Sequence, residues 1–264
     1  VFMLPDQMQT ELMKVIELFD RIYSQFGLKY HVELSTKPDN AMGDDAIWEA
    51  ATEALRNAIE AKGIPYVINP GDGAFYGPKL DIQAKNVYGK EDTMITIQLD
   101  MFLAERYDMY YIDKNGEKKR PYIIHRTSLG CYERTLAWLI EKYLGNFPTW
   151  LCAEQVRILP ISDKYQDYAE EIFAELRRNG IDVTIDNSSE RIGYKIRKAQ
   201  MEKLPYMLVV GQQEAENKTV SVRSRFEGDE GSKPLSEFVN AICEEIRTKS
   251  IREKKFSEEE KKDK

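Results

Sequence analysis

The arrangement of the predicted strands changes midway along the chain, and this change limits the possible folds more than any other feature. Before the junction Phe147–Trp150, three extended stretches follow one another without a long helix between them: Lys79–Asn86, Met94–Asp100 and Tyr122–His125. After the junction, short strands alternate with amphipathic helices from Val156 onward. Successive strands predict an antiparallel sheet, and alternation predicts an α/β sheet. We therefore expect an α+β domain followed by an α/β domain.

The length of the chain supports two domains. Its 264 residues suit two ordinary domains better than one. We place the boundary at the junction, which gives a first domain over residues 1–149 and a second over residues 150–249. The remaining residues, 250–264, are mostly Lys and Glu and predict a disordered tail. The chain starts with Val1 and not with Met, so we expect it to be a piece of a longer protein.

Composition restricts the class of protein but not its activity. Hydrophobic residues make up 42% and charged residues 31%, as in soluble globular proteins. No apolar run approaches the ~20 residues of a membrane-spanning helix. The three cysteines have unrelated spacings, which predicts a reducing, cytoplasmic location without a disulfide framework. The net charge of −7 argues against indiscriminate nucleic-acid binding, but it allows RNA recognition through a few local cations, stacking and hydrogen bonds.

The segment Ile123–Arg134 has the pattern of a strand, a small-residue turn and a helix. Gly130 permits a tight turn, and Arg134 follows in the first turns of the helix. A guanidinium fixed at that point suits phosphate oxygens and stacking on a flat base. The alternative is an ordinary helix start in which Glu133 and Arg134 are solvated or form a surface pair. The local pattern alone favours that plainer interpretation.

Several motifs together resemble one known family. The segment Ile123–Arg134 is similar to the third signature motif of class II aminoacyl-tRNA synthetases, in the variant of the threonyl-tRNA synthetases. Five further stretches resemble hallmarks of that family in the same order: Gly73–Lys79, Thr96–Asp100, Phe147–Leu151, Glu190–Arg197 and Pro205–Gly211. The similarity covers nearly all of the chain before the charged tail. It implies a partial class II catalytic domain with an antiparallel sheet, followed by an α/β anticodon-binding domain.

The resemblance implies an activity and a set of partners. The parent enzyme would be a threonine–tRNA ligase, which forms threonyl-adenylate from threonine and ATP and transfers the amino acid to tRNA(Thr). ATP would come with Mg²⁺, and the first signature motif, expected upstream of residue 1, would form a homodimer. Two alternatives stay open: the isolated chain as a non-catalytic tRNA-binding module, and a sister class II enzyme such as the prolyl synthetase. His125 and the stretch Tyr76–Lys79 favour the threonyl enzyme.

The resemblance also implies a zinc site at His125. In the family, a His at this position binds zinc together with one Cys and a second His, and the ion holds the amino and hydroxyl groups of threonine. The other two ligands are expected upstream of residue 1, and His31 is interpreted as structural. A single His on a strand is otherwise more often a packed residue than a ligand. Tyr76 and Gln98 match threonine-pocket residues, with a core aromatic and an exposed strand position as the plainer interpretations.

Three positions bear on the nucleotide. Arg134 matches the family's catalytic, ATP-binding arginine. Lys79 follows a rigid Gly-Pro turn that could present its ammonium group to a phosphate or a carboxylate. A solvated surface lysine is an equally good interpretation of Lys79. Thr93 stands where family members commonly have a Gln that contacts the nucleotide, so we assign no ATP role to it.

The second domain carries five candidate anticodon-binding residues. Ser189, Glu214 and Arg223 match base-reading positions of the family, and a Glu suits a base amino group whereas an Arg suits the edge of guanine. Lys195 and Arg197 lie on the predicted helix beside the Ser189 loop and are candidates for phosphate contacts. Without the resemblance, these side chains would be interpreted as ordinary surface groups at strand ends or on a helix face.

Overall fold

The computed structural model describes residues 1–252 and divides into two units. The first unit, Val1–Lys142, is built around a six-stranded sheet. The strands of this unit, including a separate hairpin of β6 and β7, are β1 (Phe2–Met3), β2 (His31–Ser35), β3 (Tyr66–Asn69), β4 (Lys79–Lys85), β5 (Glu91–Asp100), β6 (Tyr111–Ile112), β7 (Lys118–Lys119) and β8 (Tyr122–Arg126). The sheet order is β1-β8-β5-β4-β2-β3, and its neighbours are antiparallel except for the parallel pair β2 and β3. Of the predicted tail, residues 253–264 lie outside the described part of the chain.

Side-chain alternation along the strands gives this sheet two different faces. One face is buried and apolar, and its residues include Val32, Leu34, Leu80, Ile82, Ile97 and Leu99. The other, which we call the polar face, carries His31, Glu33, Lys79, Asp81, Gln83, Thr96, Gln98 and His125. The chemistry of the first unit is therefore concentrated on one side of the sheet.

Two long helices pack against the apolar face: α1 (Met8–Gln25) and α2 (Asp45–Ala61). Both bury a stripe of apolar side chains, and each fully buried Leu, Ile or Phe contributes about 1.5–3 kcal/mol. The side chain of Asp44 caps α2 by accepting the Ile47 N–H at 2.9 Å. Two shorter helices follow β5 and β8 respectively, α3 (Leu103–Arg106) and α4 (Tyr132–Tyr143).

A five-stranded mixed sheet organises the second unit, which begins at Tyr143. Its strands, in the spatial order β10-β9-β11-β12-β13, are β9 (Val156–Pro160), β10 (Val183–Ile185), β11 (Tyr206–Val210), β12 (Thr219–Ser224) and β13 (Gly228–Pro234). Strands β10, β9 and β11 are parallel, whereas β12 and β13 continue the sheet in antiparallel fashion. The predicted alternation of strands and helices is thus confirmed.

Helices cover both faces of the second sheet. They are α5 (Gln166–Arg178), α6 (Ile192–Met201), α7 (Gln212–Asn217) and α8 (Leu235–Thr248). Side chains of α5 and α8 form the larger core with one face, and α6 forms a smaller core with the other. Within residues 1–252, no helix is both long and apolar enough to cross a membrane.

The segment just before β9 is bound tightly into the second unit. Thr149 is fully buried, its hydroxyl donates to the carboxylate of Glu245, and its carbonyl accepts from Gln155 Nε2 at 3.2 Å. The guanidinium of Arg225 donates to the carbonyl of Phe147. The two units divide between residues 142 and 143, a few residues before the predicted boundary between residues 149 and 150. That residues 150–249 form a domain that folds independently stays a prediction.

Candidate functional site

Three of the predicted site residues form one row across neighbouring strands of the polar face. Lys79 on β4 pairs with Gln98 on β5, and Gln98 pairs in turn with His125 on β8. Directly opposite residues of antiparallel strands point to the same side and have Cβ atoms about 4.5–5.5 Å apart. The sheet register therefore brings together residues that are far apart in the sequence.

Tyr76 reaches this row from the turn before β4. Its hydroxyl donates to Oε1 of Gln98 at 2.6 Å, and its ring meets the His125 imidazole edge to face with centroids 6.1 Å apart. Burial, assisted by the negative charge of Asp100, raises the pKa of Tyr76, so the hydroxyl remains a donor. Gly77 is required beside it, because a Cβ at this position would lie 1.7 Å from the carbonyl oxygen of Leu99.

Asp100 belongs to the same site, although it was absent from the predicted residues. Its Oδ2 lies 2.9 Å from Nε2 of His125, and its Oδ1 accepts the N–H groups of Phe102 and Leu103, both at 2.9 Å. The carboxylate is almost fully buried. Strand alternation could have identified it, since it lies two residues after Gln98 on the same strand and therefore on the same face.

The surroundings of His125 suit a zinc ligand. Its side chain is 43% exposed and lines two adjacent cavities of about 210 and 410 Å³. A His that binds metal usually pairs its second ring nitrogen with a carboxylate or carbonyl, and Asp100 provides that partner, leaving Nδ1 for an ion. His125 can supply one of the three ligands in the implied set of one Cys and two His. Among the described residues, this row contains no second His and no Cys.

The ammonium group of Lys79 is directed toward carboxylates. Nζ lies 3.0 Å from Asp72 and 2.9 Å from Asp81. Burial alone lowers the pKa of Lys79, but its hydrogen bonds to these two carboxylates outweigh burial and leave the pKa above its usual value. In this structure the ammonium group therefore contacts carboxylates of the polar face, and a phosphate contact of Lys79 stays a prediction.

Arg134 is exposed in the first turn of α4, and its Nη1 donates to the backbone carbonyl of Thr93. Gly130 makes this approach possible. It has a φ of +70°, and a Cβ there would lie 2.1 Å from the carbonyl oxygen of Met94 on β5. The hydroxyl of Thr93 donates to Oε1 of Gln83 at 3.0 Å, so this side chain is engaged within the sheet.

Two of the predicted anticodon-binding residues lie at the carboxyl ends of parallel strands. Ser189 is exposed in the loop after β10, and Glu214 lies in the first turn of α7, just after β11. Oε2 of Glu214 accepts the N–H of Gly211 at 3.0 Å, which leaves its other oxygen available. Because β9 alone separates β10 and β11, both residues lie at one edge of the sheet. Ligands commonly bind at this edge of α/β sheets.

Arg223 lies farther along the sheet. It pairs with Met207 near the start of β11, which is three residues, or about 10 Å, from the carboxyl end of that strand. Met207 belongs to the core beneath α6, so Arg223 points to the same face of the sheet as α6. Its guanidinium pairs with Asp229 of β13. Arg223 is therefore not part of the sheet edge that carries Ser189 and Glu214.

The position of Lys195 does not fit the predicted phosphate contact. It is 4% exposed, and its Nζ donates to the carbonyl oxygens of Asp186 at 2.8 Å and Pro160 at 3.3 Å. The ammonium group supports the loop from inside and is not presented to a phosphate. Oδ1 of Asp186 also accepts from the N–H and hydroxyl of Ser188, at 3.0 and 2.6 Å. Arg197, by contrast, is exposed, and its phosphate contact stays a prediction.

Comparison with known families accounts for both units. Residues 1–143 match the family described as tRNA synthetase class II core domain (G, H, P, S and T). Residues 155–245 match the family described as anticodon binding domain. The chain belongs to the class II aminoacyl-tRNA synthetases. The predicted combination of a class II core and an anticodon-binding domain is confirmed for this synthetase chain.

Curated relatives of this synthetase chain are named threonine–tRNA ligases. The protein from Acetivibrio thermocellus is 53% identical over 249 residues, and the one from Clostridioides difficile is 52% identical over 249 residues. Each match covers 94% of this chain but 39% of the relative. The chain therefore spans well under half the length of these relatives. The predicted resemblance to threonyl-tRNA synthetases is confirmed.

Solved synthetase structures agree with this family. The structure described as the RNA binding domain of threonyl-tRNA synthetase from Cryptosporidium parvum is 37% identical with a TM-score of 0.82, covering 92% of this chain and 61% of that one. A prolyl-tRNA synthetase from the same organism is 15% identical with a TM-score of 0.57, covering 91% of this chain and 48% of that one. That likeness shows a shared synthetase fold only, and the prolyl alternative is not favoured.

Proposed function

We propose that this chain supplies the threonine-binding strands, the motif-three arginine and the anticodon-binding domain of a threonine–tRNA ligase. The observation that carries the proposal is the pairing of Gln98 and His125 on adjacent strands, with Tyr76 bonded to Gln98 from the turn before β4 and Asp100 buried beside the imidazole. Two polar side chains on one rigid sheet, with a third bonded to them from the adjoining turn, can hold a small polar substrate in a fixed orientation.

In this proposal, His125 would hold a zinc ion through Nδ1 together with two further ligands expected upstream of residue 1. The bound ion would accept the amino and hydroxyl groups of threonine, and valine would lose the second bond because it lacks the hydroxyl. Gln98 and Tyr76 orient the substrate beside the imidazole through an amide and a protonated hydroxyl. Lys79 is assigned a positioning role, since its pairing with Asp81 fixes the adjacent strand.

Arg134 is proposed as the residue that contacts the ATP phosphates, with Mg²⁺ neutralising further charge. Its exposed guanidinium is anchored at one nitrogen by the Thr93 carbonyl, so the remaining donors have a defined direction. Such fixed donors stabilise developing charge without costly reorganisation. No nucleotide role is assigned to Thr93, and a phosphate contact of Lys79 stays a prediction.

The second unit is proposed to bind the anticodon of tRNA. Ser189 and Glu214 offer hydrogen-bonding groups at one edge of the sheet, Arg223 extends the surface across its face, and Arg197 supplies an exposed charge for phosphate. Lys195 holds the Ser189 loop in place. A reducing compartment, the cytoplasm, is the proposed location, in agreement with three unpaired cysteines.

The decisive test is His125→Ala in the full-length ligase. Loss of one of three protein ligands leaves too few donors for a stable zinc site, so zinc per protomer and threonine-dependent pyrophosphate exchange should both collapse. ATP binding should survive, because Arg134 lies on a separate element. Normal zinc content together with unchanged selection of threonine over valine would refute the assignment.

A companion measurement concerns the 264-residue chain alone. The described residues provide one implied zinc ligand and one ATP-binding arginine, so we expect no threonine-dependent pyrophosphate exchange but measurable binding of tRNA(Thr). Exchange at the rate of an ordinary synthetase would show that the isolated chain contains a complete active site.

A further inference from the structure

A second group of ligand-type side chains lies on the polar face, away from the row that contains His125. His31 and Glu33 lie two residues apart on β2 and therefore point to the same face of the sheet. Glu91 is the first residue of β5. Nε2 of His31 lies 3.7 Å from Oε1 of Glu33 and 3.8 Å from Oε1 of Glu91. His31 pairs with Gln83 on β4, whereas His125 lies on β8 beyond β5. Glu91 and Gln98 lie seven residues apart on β5, so the two groups are separated by about 23 Å along that strand.

We propose that His31, Glu33 and Glu91 bind a zinc-type divalent cation, a site independent of the proposed function. Tetrahedral zinc with bonds of about 2.0–2.2 Å places its ligand atoms about 3.3–3.6 Å apart. The two distances from the His31 nitrogen are slightly longer than this, and the ligand atoms of all three residues lie within 4.8 Å of one another, so binding requires an inward movement of about 1 Å. Imidazole nitrogen and carboxylate oxygen are both zinc ligands, and three protein ligands leave the fourth position to water.

The orientation of Glu33 is fixed by neighbouring amides. Its Oε2 accepts from Nε2 of Gln83 at 3.1 Å and from Nδ2 of Asn69 at 3.4 Å. Its Oε1 is thereby directed toward His31. Outer partners of this kind hold a carboxylate ready for an ion and raise metal affinity. Two of the three ligands, on one regular strand, are therefore already placed for binding.

The ion and its water can reach the ligands from solvent. The side chains of His31, Glu33 and Glu91 are 33%, 18% and 42% exposed, respectively. His31 also lines a cavity of about 480 Å³ together with Gln83, Lys85 and Trp138. Lys85 places its Nζ 3.8 Å from Oε1 of Glu91, where it competes with a cation for that carboxylate.

Calorimetric titration of the purified 264-residue chain with zinc tests this site. We expect one zinc to bind, with affinity reduced at least about 100-fold by His31→Ala and by Glu91→Gln, because each substitution removes a ligand. Glu141→Gln is the matched control, since Glu141 lines the same cavity outside the three ligands. Circular dichroism of each variant checks that the fold is retained.

Two further variants make the outcome decisive. Lys85→Met retains all three ligands and should strengthen zinc binding about twofold to fivefold by removing the competing charge. His125→Ala distinguishes the two histidines. Zinc binding that survives His31→Ala, or that is lost in His125→Ala and not in His31→Ala, would overturn the proposal. So would the absence of zinc binding by the unmodified chain.

Discussion

At the scale of single residues, the chemistry of the candidate site depends on the charge of Asp100. A carboxylate only accepts hydrogen bonds, so its contact with Nε2 places the imidazole proton on that nitrogen. The lone pair of neutral His125 is then on Nδ1, where a metal can use it. The buried acid therefore selects the tautomer and fixes the plane of the ring.

This role predicts the effect of Asp100→Asn in the full-length ligase. The Asn carbonyl can still accept the N–H groups of Phe102 and Leu103, so the fold should be retained. Its amide would face His125 as a donor and disfavour the metal-binding tautomer. We expect zinc affinity to fall about 10–100-fold, measured by chelator competition. Asp108→Asn, at an exposed Asp paired with Arg120, is the control, and equal affinities in both variants would contradict the role.

The sequence predicted which residues belong to this site better than it predicted their hydrogen-bond and ion-pair partners. The motifs placed Tyr76, Gln98 and His125, and the sheet register joined them. The environments of Lys79 and Lys195 depend on groups from other elements: carboxylates for the first and backbone carbonyls for the second. Such partners follow from tertiary packing, so the sequence alone could not separate a buried lysine from a phosphate-binding one.

At the scale of elements, the turn between β8 and α4 controls where Arg134 lies. Gly130→Ala should destabilise the first unit, because a left-handed backbone costs an Ala about 1–2 kcal/mol and the new Cβ also collides with the Met94 carbonyl. Gly116→Ala is a matched control, since Gly116 has a φ of +80° with open space around it. Urea unfolding should show a larger loss for Gly130→Ala. Equal losses would mean that the contact with β5 is unimportant.

A hydrogen bond between β11 and α8 makes the second unit sensitive to alkaline pH. The hydroxyl of Tyr206 donates to Oε2 of Glu245 at 2.6 Å, and burial, followed by this bond, raises the pKa of Tyr206 far above its usual value. A raised pKa stabilises the fold below the unfolded value near 10, and this contribution is lost as pH rises beyond it.

Tyr206→Phe should therefore lower the free energy of unfolding by about 1–3 kcal/mol at neutral pH, because buried Glu245 loses a donor. It should also flatten the decline in stability above about pH 10. Urea unfolding at several pH values measures both effects, with the exposed Tyr194→Phe as the control. A variant that remains as pH-sensitive as the original chain would assign the alkaline transition to another group.

The elements with clear hydrophobic periodicity were predicted to within a few residues. The strands β4, β5 and β8, predicted as Lys79–Asn86, Met94–Asp100 and Tyr122–His125, are examples. Strand β13, Gly228–Pro234, was missed because its sequence is polar and rich in Gly, and pairing with β12 supplies its structure. The short helices α3 and α7 were missed as well, since four and six residues are too few to show a period.

At the scale of the whole molecule, the two units predict two separate folding events. We expected residues 150–249 to fold alone, and the structure adds contacts from the segment before them. A polypeptide of residues 143–252 keeps the buried Thr149 and the bond from Arg225 to Phe147, whereas one of residues 150–252 loses both. These losses leave Glu245 and Arg225 short of partners.

The longer polypeptide should therefore melt at a higher temperature than the shorter one. A loss of 1 kcal/mol lowers Tm by about 4–8 °C in a domain of this size, so calorimetry should resolve the difference. Limited proteolysis of the whole chain should cut at the exposed Leu144 or Asn146 and leave a resistant C-terminal piece. Loss of both halves in a single transition would contradict two independently folding units.

The outer strands of the first sheet have a consequence for how the chain behaves at high concentration. Strands β1 and β3 lie at opposite ends of the sheet order, and Phe2, Val67 and Ile68 on them are half or more exposed. Open strand edges bearing apolar side chains are templates for pairing with another chain. Strand β1 has two residues, and very short edge strands resist such pairing, so the four-residue β3 is the edge at which association is expected. We therefore expect the storage stability of the concentrated chain to depend on β3, whatever chemistry the polar face performs.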